Sequence, residues 1–259
     1  MAPSIALIVT VHNRADFLPF TLDSILAQTH SDFELLIWDD GSTDDSVAIA
    51  RHYALKDDRI RVIAAAHQGI APTLKSAIAA TTGTYLGWVD SDDLLAPTAL
   101  AETVAILSAH PEVGMVYTNY EVIDAQGQNH GLGQRCRIPY SPDRLLVDFM
   151  TFHFRLMRRS VYDQGGGIDP TFAWAEDYDL CLKLSEVTNI YHLPKPLYYY
   201  RRHVGNIMSR NTLFVIVNKL NVRYFTGRNL QRKEGKALAF FPSATEPEIS
   251  LLFGKKLTH

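Results

Sequence analysis

The amino-acid sequence predicts an α/β fold with a Rossmann-like, mostly parallel central sheet flanked by helices. Two observations support this class. Short aliphatic runs alternate with segments in which apolar residues recur at helical spacing, a pattern typical of βαβ units with right-handed crossovers. The first four aliphatic runs also end in polar residues, and ligands bind at the carboxyl ends of the strands in such sheets.

The first half of the chain carries this pattern most clearly. Residues 5–11 form a continuous aliphatic run of the kind expected for a strand buried on both faces. Further strands are predicted at 33–38, 60–64 and 85–89, with helices at 17–26, after 42–44 and at 70–80. Pro97 suits the first turn of a helix that continues through residue 107.

The second half of the chain is less regular. It predicts a strand at 113–122, an exposed hairpin or loop at 124–139, a strand at 153–158, a helix at 160–164, a glycine turn at 165–167, a helix near 176 and short strands at 190–193 and 197–200. The pattern weakens from residue 211. We therefore expect a main domain at 1–210 and a small C-terminal extension at 211–259, helical or partly irregular.

Composition limits the classes of partner. The chain has 259 residues, 47% of them hydrophobic and 20% charged, which is enough apolar content for a large core. A net charge of -3 and an isoelectric point near 6.4 argue against nucleic-acid binding. Cys136 and Cys181 lack the spacing of a zinc site or a disulfide framework. With no signal-peptide pattern either, we expect a cytoplasmic protein.

A basic stretch at 223–236 leaves two readings open. It could be a solvated face, or it could make a peripheral contact with an anionic membrane at its inner face. Neither reading requires a membrane span.

The acids that end the strand at 85–89 are the first candidates for chemistry. Alternate residues of an extended segment share a face, so Asp90 and Asp92 can address one ligand. Carboxylate oxygens suit Mg²⁺ or Mn²⁺, usually beside substrate phosphates. Asp40 ends the second strand in the same way. Glu176 and Asp177 stand at the start of a predicted helix, where they either cap the helix or take part in chemistry.

Four motifs in order resemble the inverting glycosyltransferases of family 2, which have the GT-A fold. They are VTVHNR at 9–14 with the helix that follows it, WDDGSTD at 38–44, VDSDD at 89–93 with Pro97, and Glu176-Asp177 followed by Leu180. The run YYRRH at 199–203 adds to the match, which covers about the first 210 residues. The motif of processive synthases is absent, which favours addition of single sugars.

The resemblance implies a role for each matched residue. Thr10 and His12 would border the base of a UDP-sugar, and Asp40 would accept the uracil imide N–H. Asp90 would contact ribose, and Asp92 would bind the Mn²⁺ or Mg²⁺ that bridges the diphosphate. Lys75 could supply a positive charge to the nucleotide, because the Arg or Asn common nearby in relatives is missing.

The resemblance also implies the chemistry. Asp177 would be the general base that takes the proton of an acceptor hydroxyl, with Glu176 orienting it or contacting the acceptor. Direct displacement would invert the anomeric centre. His203 would complete the metal site or touch a phosphate, unless it is a surface residue. His153 lies where relatives often carry an acceptor-site histidine, although a structural imidazole fits equally.

The expected activity is therefore metal-dependent transfer from a UDP-sugar to a glycan, lipid-linked or small-molecule acceptor. One alternative is a sugar-1-phosphate nucleotidyltransferase, but the glycine-rich loop it needs after the first strand is absent. Another is a non-catalytic relative that binds a nucleotide sugar or a glycan. The four aspartates at 40, 90, 92 and 177 argue against it.

Overall fold

The computed structural model describes residues 4–203, apart from 147, 173 and 174. The expected domain boundary at 210, the extension at 211–259 and the basic stretch at 223–236 lie outside these residues. Within 4–203 no helix is both long and apolar enough to span a bilayer.

A single nine-stranded sheet organises the described residues. The strands are β1 (Ile5–Val11), β2 (Phe33–Asp40), β3 (Ile60–Ala65), β4 (Tyr85–Trp88), β5 (Leu94–Leu95), β6 (Val113–Asp124), β7 (Asn129–Leu132), β8 (Arg155–Arg158) and β9 (Asn189–Arg202). The helices are α1 (Leu18–Leu26), α2 (Ser46–Ala54), α3 (Ile70–Ala79), α4 (Ala99–Ala109), α5 (Pro142–Leu145), α6 (Arg159–Gln164) and α7 (Glu176–Val187). The strand order is β3-β2-β1-β4-β8-β6-β9-β5, and β7 pairs with β6.

The first four strands of this sheet form its parallel half, as the alternation of runs predicted. β1 pairs in parallel with β2 on one side and β4 on the other, and β2 pairs in parallel with β3. All the aliphatic residues of β1 are buried, as expected for a strand covered on both faces. Since the four strands run the same way, their carboxyl ends meet at one edge.

The second half of the sheet is mixed. β8 runs antiparallel between β4 and β6, whereas the long pairing of β6 with β9 is parallel. The prediction of two short strands at 190–193 and 197–200 was wrong, because they form one strand. The pairing of β6 with β9 shifts register near Pro196, so the interruption in the sequence becomes an irregularity within β9 rather than its end.

Other boundaries differ slightly from the sequence predictions. Pro97 precedes α4 instead of lying in its first turn, because Thr98 is the N-cap. β8 begins two residues later than predicted. The segment at 124–139 does contain a hairpin, formed by β6 and β7, followed by a 3-10 helix at Gln134–Arg137. The glycine turn has the expected positive φ angles, 83° at Gly166 and 63° at Gly167.

Candidate active site

The ends of β1, β2 and β3 form one side of the candidate site. His12 Nδ1 lies 2.8 Å from the carbonyl oxygen of Asp40, and His67 Nδ1 lies 3.0 Å from the same atom. The two exposed imidazole rings face each other with centroids 4.4 Å apart. Thr10 is half-buried near the end of β1, paired with Trp38 of β2. The structure thus brings His12 and Asp40 together with His67.

The carboxylate of Asp40 is held in place from the loop after β3. It accepts the backbone N–H groups of Gln68 at 2.8 Å and Gly69 at 3.0 Å, one on each oxygen, and His67 Nδ1 lies 2.9 Å from it. Only 6% of this side chain is exposed. A carboxylate oxygen has two acceptor sites, so Oδ1, which accepts only the Gln68 N–H among the described residues, can still receive another donor.

The loops after β1 and β2 are tied to each other. Asn13 has a left-handed φ of 54°, its N–H donates to Ser42 Oγ at 2.9 Å, and its Oδ1 accepts the N–H of Thr43 at 2.8 Å. Asp39 accepts the N–H groups of Gly41 and Ser42 through Oδ2. The turn that follows Asp40 therefore has a fixed shape.

The acids at 90–93 occupy the turn after β4, and Asp93 is the one that is fully buried. Its carboxylate accepts the Tyr198 hydroxyl at 2.8 Å and the Arg201 N–H at 2.7 Å. Burial, with the charges of Asp92 and Asp90, raises the pKa of Asp93 well above its ordinary value. Asp93 thereby joins the turn to β9.

Asp92 meets two basic side chains through a single oxygen. Its Oδ2 lies 3.1 Å from Arg14 Nε and 2.9 Å from His203 Nε2. The His203 ring packs against Phe17 with centroids 4.5 Å apart. Arg201 instead donates its Nε–H to the main-chain carbonyl of Asp92 at 2.8 Å.

The pair formed by Asp92 and His203 fits a divalent cation. Asp92 Oδ2 and His203 Nε2 are hydrogen-bonded at 2.9 Å, and a carboxylate oxygen and an imidazole nitrogen are both metal ligands. Within the described part of the chain, two other clusters bring three possible ligand atoms within 4.8 Å: His12, Asp40 and His67, and Asp90, Asp93 and His153. The acidic turn is thus a possible metal site.

Asp90 opens this acidic turn and contacts His153, a residue predicted for the acceptor side. Its N–H donates to the Tyr198 hydroxyl at 3.2 Å, and its Oδ2 lies 3.5 Å from His153 Nε2. The carboxylate is 41% exposed but lies among other acids. Partial removal from water, followed by the charge of Asp92, raises the pKa of Asp90 to about 7, and Asp177 adds to the shift. The negative charge of Asp177 therefore acts on Asp90.

His153 is a buried imidazole with an aromatic environment. Its ring stacks on Tyr198 with centroids 4.8 Å apart and an interplanar angle of 15°. Burial, with the charges of Arg155 and Arg135, lowers its pKa well below the ordinary value. It is therefore neutral at physiological pH, and 5% exposed.

The N-terminus of α7 brings the second pair of acids to the site. Ala175, the N-cap, has a φ of 67°, and Glu176 and Asp177 open the helix. Asp177 Oδ2 accepts hydrogen bonds from both Nη atoms of Arg155 at 3.1 Å. Arg155 is buried on β8 and packs over Trp88. Burial disfavours its charge, but the Asp177 carboxylate and Cys181, with their hydrogen bonds, together outweigh this and raise the pKa of Arg155.

Glu176 and Asp177 have different surroundings. Burial, reinforced by the charge of Asp177, raises the pKa of Glu176 to about 8. Glu176 is thus mostly protonated at neutral pH, and it can donate a hydrogen bond. Asp177 is the acid that the guanidinium engages.

Lys75 is not brought into contact with the Asp40 cluster. It is exposed on α3, and its charge reaches the loop before α7, where Asp169 lies. Hydrogen bonds from Thr171 chiefly lower the pKa of Asp169, with smaller contributions from Lys183 and Lys75.

Three residues of the site were missed by sequence reasoning: Arg14, Arg155 and Tyr198. Arg155 did leave a signal, because a charged residue within the apolar run at 152–157 needs a partner if that run is a buried strand. Arg14 lies inside the recognised motif at 9–14, and Tyr198 directly precedes the run at 199–203. Nothing in their spacing indicated the carboxylates they would contact.

The fold is shared with solved glycosyltransferases. S. aureus TarS 1-349 in complex with UDP-GlcNAc has a TM-score of 0.70 and 20% identity, covering 86% of this chain and 66% of that one. The mannosyltransferase PcManGT from Pyrobaculum calidifontis, in complex with GDP-Man and Mn2+, has a TM-score of 0.64 and 19% identity, covering 98% and 69%. The architecture is therefore that of the GT-A glycosyltransferases.

Sequence comparison gives the family. Residues 6–166, more than half of the chain, match Glycosyl transferase family 2. The chain belongs to this family and is a glycosyltransferase. The O-antigen biosynthesis protein RfbC of Myxococcus xanthus is 36% identical over 226 residues, 85% of this chain and 18% of that protein. Chondroitin synthase of Escherichia coli is 31% identical over 223 residues, 84% and 32%. The chain thus spans about a fifth to a third of these relatives.

Proposed function

We propose that this chain transfers a sugar from a UDP-sugar to a hydroxyl group of a glycan, lipid-linked or small-molecule acceptor, with a divalent cation and with inversion. The observation that carries the proposal is that acids from two distant segments of the chain act on one another. Asp92 lies beside His203 and Asp177 lies beside Arg155, and the charges of both acids raise the pKa of Asp90.

The nucleotide would lie against the ends of β1 to β3. Asp40 offers a fixed carboxylate for the uracil N–H, and His12 and His67 offer ring surfaces beside it. Thr10 and Asp90 would border base and ribose. The UDP-GlcNAc held by TarS supports a uridine donor. Lys75 is the least supported of these assignments, because its charge faces the loop at Asp169.

Asp92 and His203 would hold Mn²⁺ or Mg²⁺, because a carboxylate oxygen and an imidazole nitrogen are both metal ligands and these two lie 2.9 Å apart. A bound divalent cation would stabilise the negative charge that grows on the diphosphate as the sugar departs. The Mn2+ in the complex of the mannosyltransferase supports this choice.

Asp177 would take the proton of the attacking hydroxyl. Arg155 orients this carboxylate by its hydrogen bonds. The buried guanidinium of Arg155 is itself held by the ring of Trp88 and the carbonyl of Thr151. Glu176 is the poorer base at neutral pH because it is mostly protonated there. It would instead donate a hydrogen bond to the acceptor. His153, buried and neutral, would border the acceptor beside Asp90.

The acceptor class rests on the relatives. The names O-antigen biosynthesis protein and chondroitin synthase point to glycan products, and a glycan is the acceptor we favour.

Cys136 and Cys181 are free cysteines, which supports our proposal of a cytoplasmic location. Family membership removes the nucleotidyltransferase alternative.

A panel of sugar nucleotides tests the proposal. The chain is incubated with UDP-sugars and GDP-sugars, with Mn²⁺, Mg²⁺ or EDTA, while the melting temperature and nucleotide release are followed. We expect at least one UDP-sugar to raise the melting temperature and release UDP only when metal is present. Binding without any release, with or without acceptors, would support a binding protein instead. No response to any UDP-sugar would refute the donor assignment.

A further inference from the structure

We infer that Arg14 couples metal binding to donor binding, by neutralising Asp92 until a sugar nucleotide draws the guanidinium away. The inference rests on the proposed function, because it takes Asp92 and His203 as the metal ligands. It adds a positioning role for a residue outside the predicted site.

The first argument is that two partners share one atom. Arg14 Nε and His203 Nε2 both contact Asp92 Oδ2, at 3.1 Å and 2.9 Å. A cation ligated by that oxygen would stand beside the positive guanidinium at close range. Coulomb repulsion at such a distance is large in a partly buried site. Arg14 and a divalent cation therefore compete for Asp92.

The second argument is that the two partners are held differently. The His203 side chain is 9% exposed and packs against Phe17, so it can remain in place as a ligand. The Arg14 side chain is 23% exposed. Among the described residues, its Nη1 donates only to main-chain carbonyls of its own loop, those of Asn13 at 3.0 Å and His12 at 3.4 Å. The Arg14 side chain can thus move more readily than the His203 ring.

The backbone of Arg14 is held in place even though its side chain can move. Its N–H donates to Ser46 Oγ at 2.9 Å, which fixes the start of the side chain at the mouth of the site. A diphosphate placed at Asp92 by a cation would lie within the reach of this side chain. Arginine binds phosphate through paired N–H groups, so the donor offers Arg14 a replacement for Asp92.

The experiment measures manganese affinity with and without UDP, by the electron paramagnetic resonance signal of free Mn²⁺. The readout is the manganese dissociation constant without UDP divided by that with UDP. This ratio is measured for the wild-type chain and for Arg14→Gln. In the wild type we expect UDP to tighten manganese binding strongly. In Arg14→Gln, manganese alone should bind roughly tenfold more tightly, because the competing charge is gone, and the ratio should fall by about the same factor.

This ratio separates coupling from a simple loss of positive charge. A general electrostatic effect would tighten manganese binding equally with and without UDP, and the unchanged ratio would refute the inference. Arg59→Gln is the matched control, because Arg59 forms an ion pair with Asp57, at a distance of 2.7 Å. This pair lies outside the candidate site. Arg59→Gln should leave both constants unchanged. Thermal melting confirms that each variant is folded.

Asp92→Asn separates this inference from the proposed function. If Asp92→Asn retains metal-dependent UDP binding, the metal assignment fails, and the inference falls with it. If Asp92→Asn loses that binding while Arg14→Gln keeps the wild-type ratio, only the role of Arg14 is wrong.

Discussion

Glu176 is held mostly in its protonated form at neutral pH when the protein is folded. Its pKa is raised from 4.5 to about 8 by burial and by the charge of Asp177, so the folded protein holds this proton more tightly than the unfolded chain. The contribution of this group to the free energy of unfolding is fully present below pH 4.5. It is lost as the pH rises through about 8. Glu176→Gln removes the titration.

We therefore expect the melting temperature of Glu176→Gln to exceed that of the wild type by a margin that grows from pH 5 to pH 8 and then levels off. Differential scanning fluorimetry across this range measures it. Glu186→Gln, an exposed change on the same helix, is the control and should show no such margin. A constant difference at all pH values would contradict the raised pKa.

At the residue scale, motifs and strand ends singled out Asp40, Asp92 and Asp177 as candidates. In the structure, Asp40 ends β2, Asp92 follows β4, and Asp177 in α7 is bonded to Arg155 at the start of β8. The bonds of Asp177 to Arg155 could not be predicted, because they depend on how β8 packs against α7. Such pairing is set by tertiary packing and leaves no periodic trace.

The turn after β2 carries a prediction at the element scale. Gly41 has a φ of 76°, and a Cβ there would lie 2.8 Å from the backbone nitrogen of His67. Gly41→Ala should therefore displace the 67–69 segment and remove the N–H donors that hold Asp40. We expect a loss of about 1–2 kcal/mol in stability from the left-handed backbone alone, together with weaker UDP binding.

Gly131→Ala is the matched control for this turn. Its φ is 86°, but a Cβ there has nothing within 4 Å, so it pays only the backbone strain. Chemical denaturation and calorimetric titration with UDP distinguish the two variants. Equal UDP affinity in both would show that the turn does not shape the nucleotide site.

Strand β9 shows where sequence patterns stop being informative about elements. Pro194 and Pro196 lack a backbone N–H and read as the end of a strand. In the structure, the register of β6 with β9 shifts at this point, and pairing resumes at Tyr198. A pattern within one strand cannot reveal such tolerance, because it depends on the partner strand. Helices α1 and α3, whose apolar spacing is clear, were predicted to within one residue at each end, whereas only the start of α7 was predicted.

At the scale of the whole molecule, the parallel half of the sheet followed from the alternation of runs along the chain. The order of β8, β6, β9 and β5 did not, because antiparallel returns carry no fixed crossover rule. The division at residue 210 remains a proposal. All the predicted site residues precede it.

We predict that a chain ending at residue 210 keeps the UDP and metal affinities of the full chain. All the predicted site residues, from Thr10 to His203, would be present in it, and the pairs His12–Asp40, His203–Asp92 and Arg155–Asp177 are formed within the described residues. Isothermal titration of both chains with UDP and Mn²⁺ provides the comparison. If the shorter chain folds but fails to bind, residues beyond 210 belong to the site.

The account centres on Asp177 as the base that activates the acceptor, and Asp177→Asn tests it most directly. With a donor and acceptor identified, turnover and UDP·Mn²⁺ binding are measured on the same preparation. We predict unchanged binding and turnover reduced by about 10²–10⁴-fold, the usual contribution of a general base. Near-normal turnover by a folded, donor-binding Asp177→Asn would contradict the account.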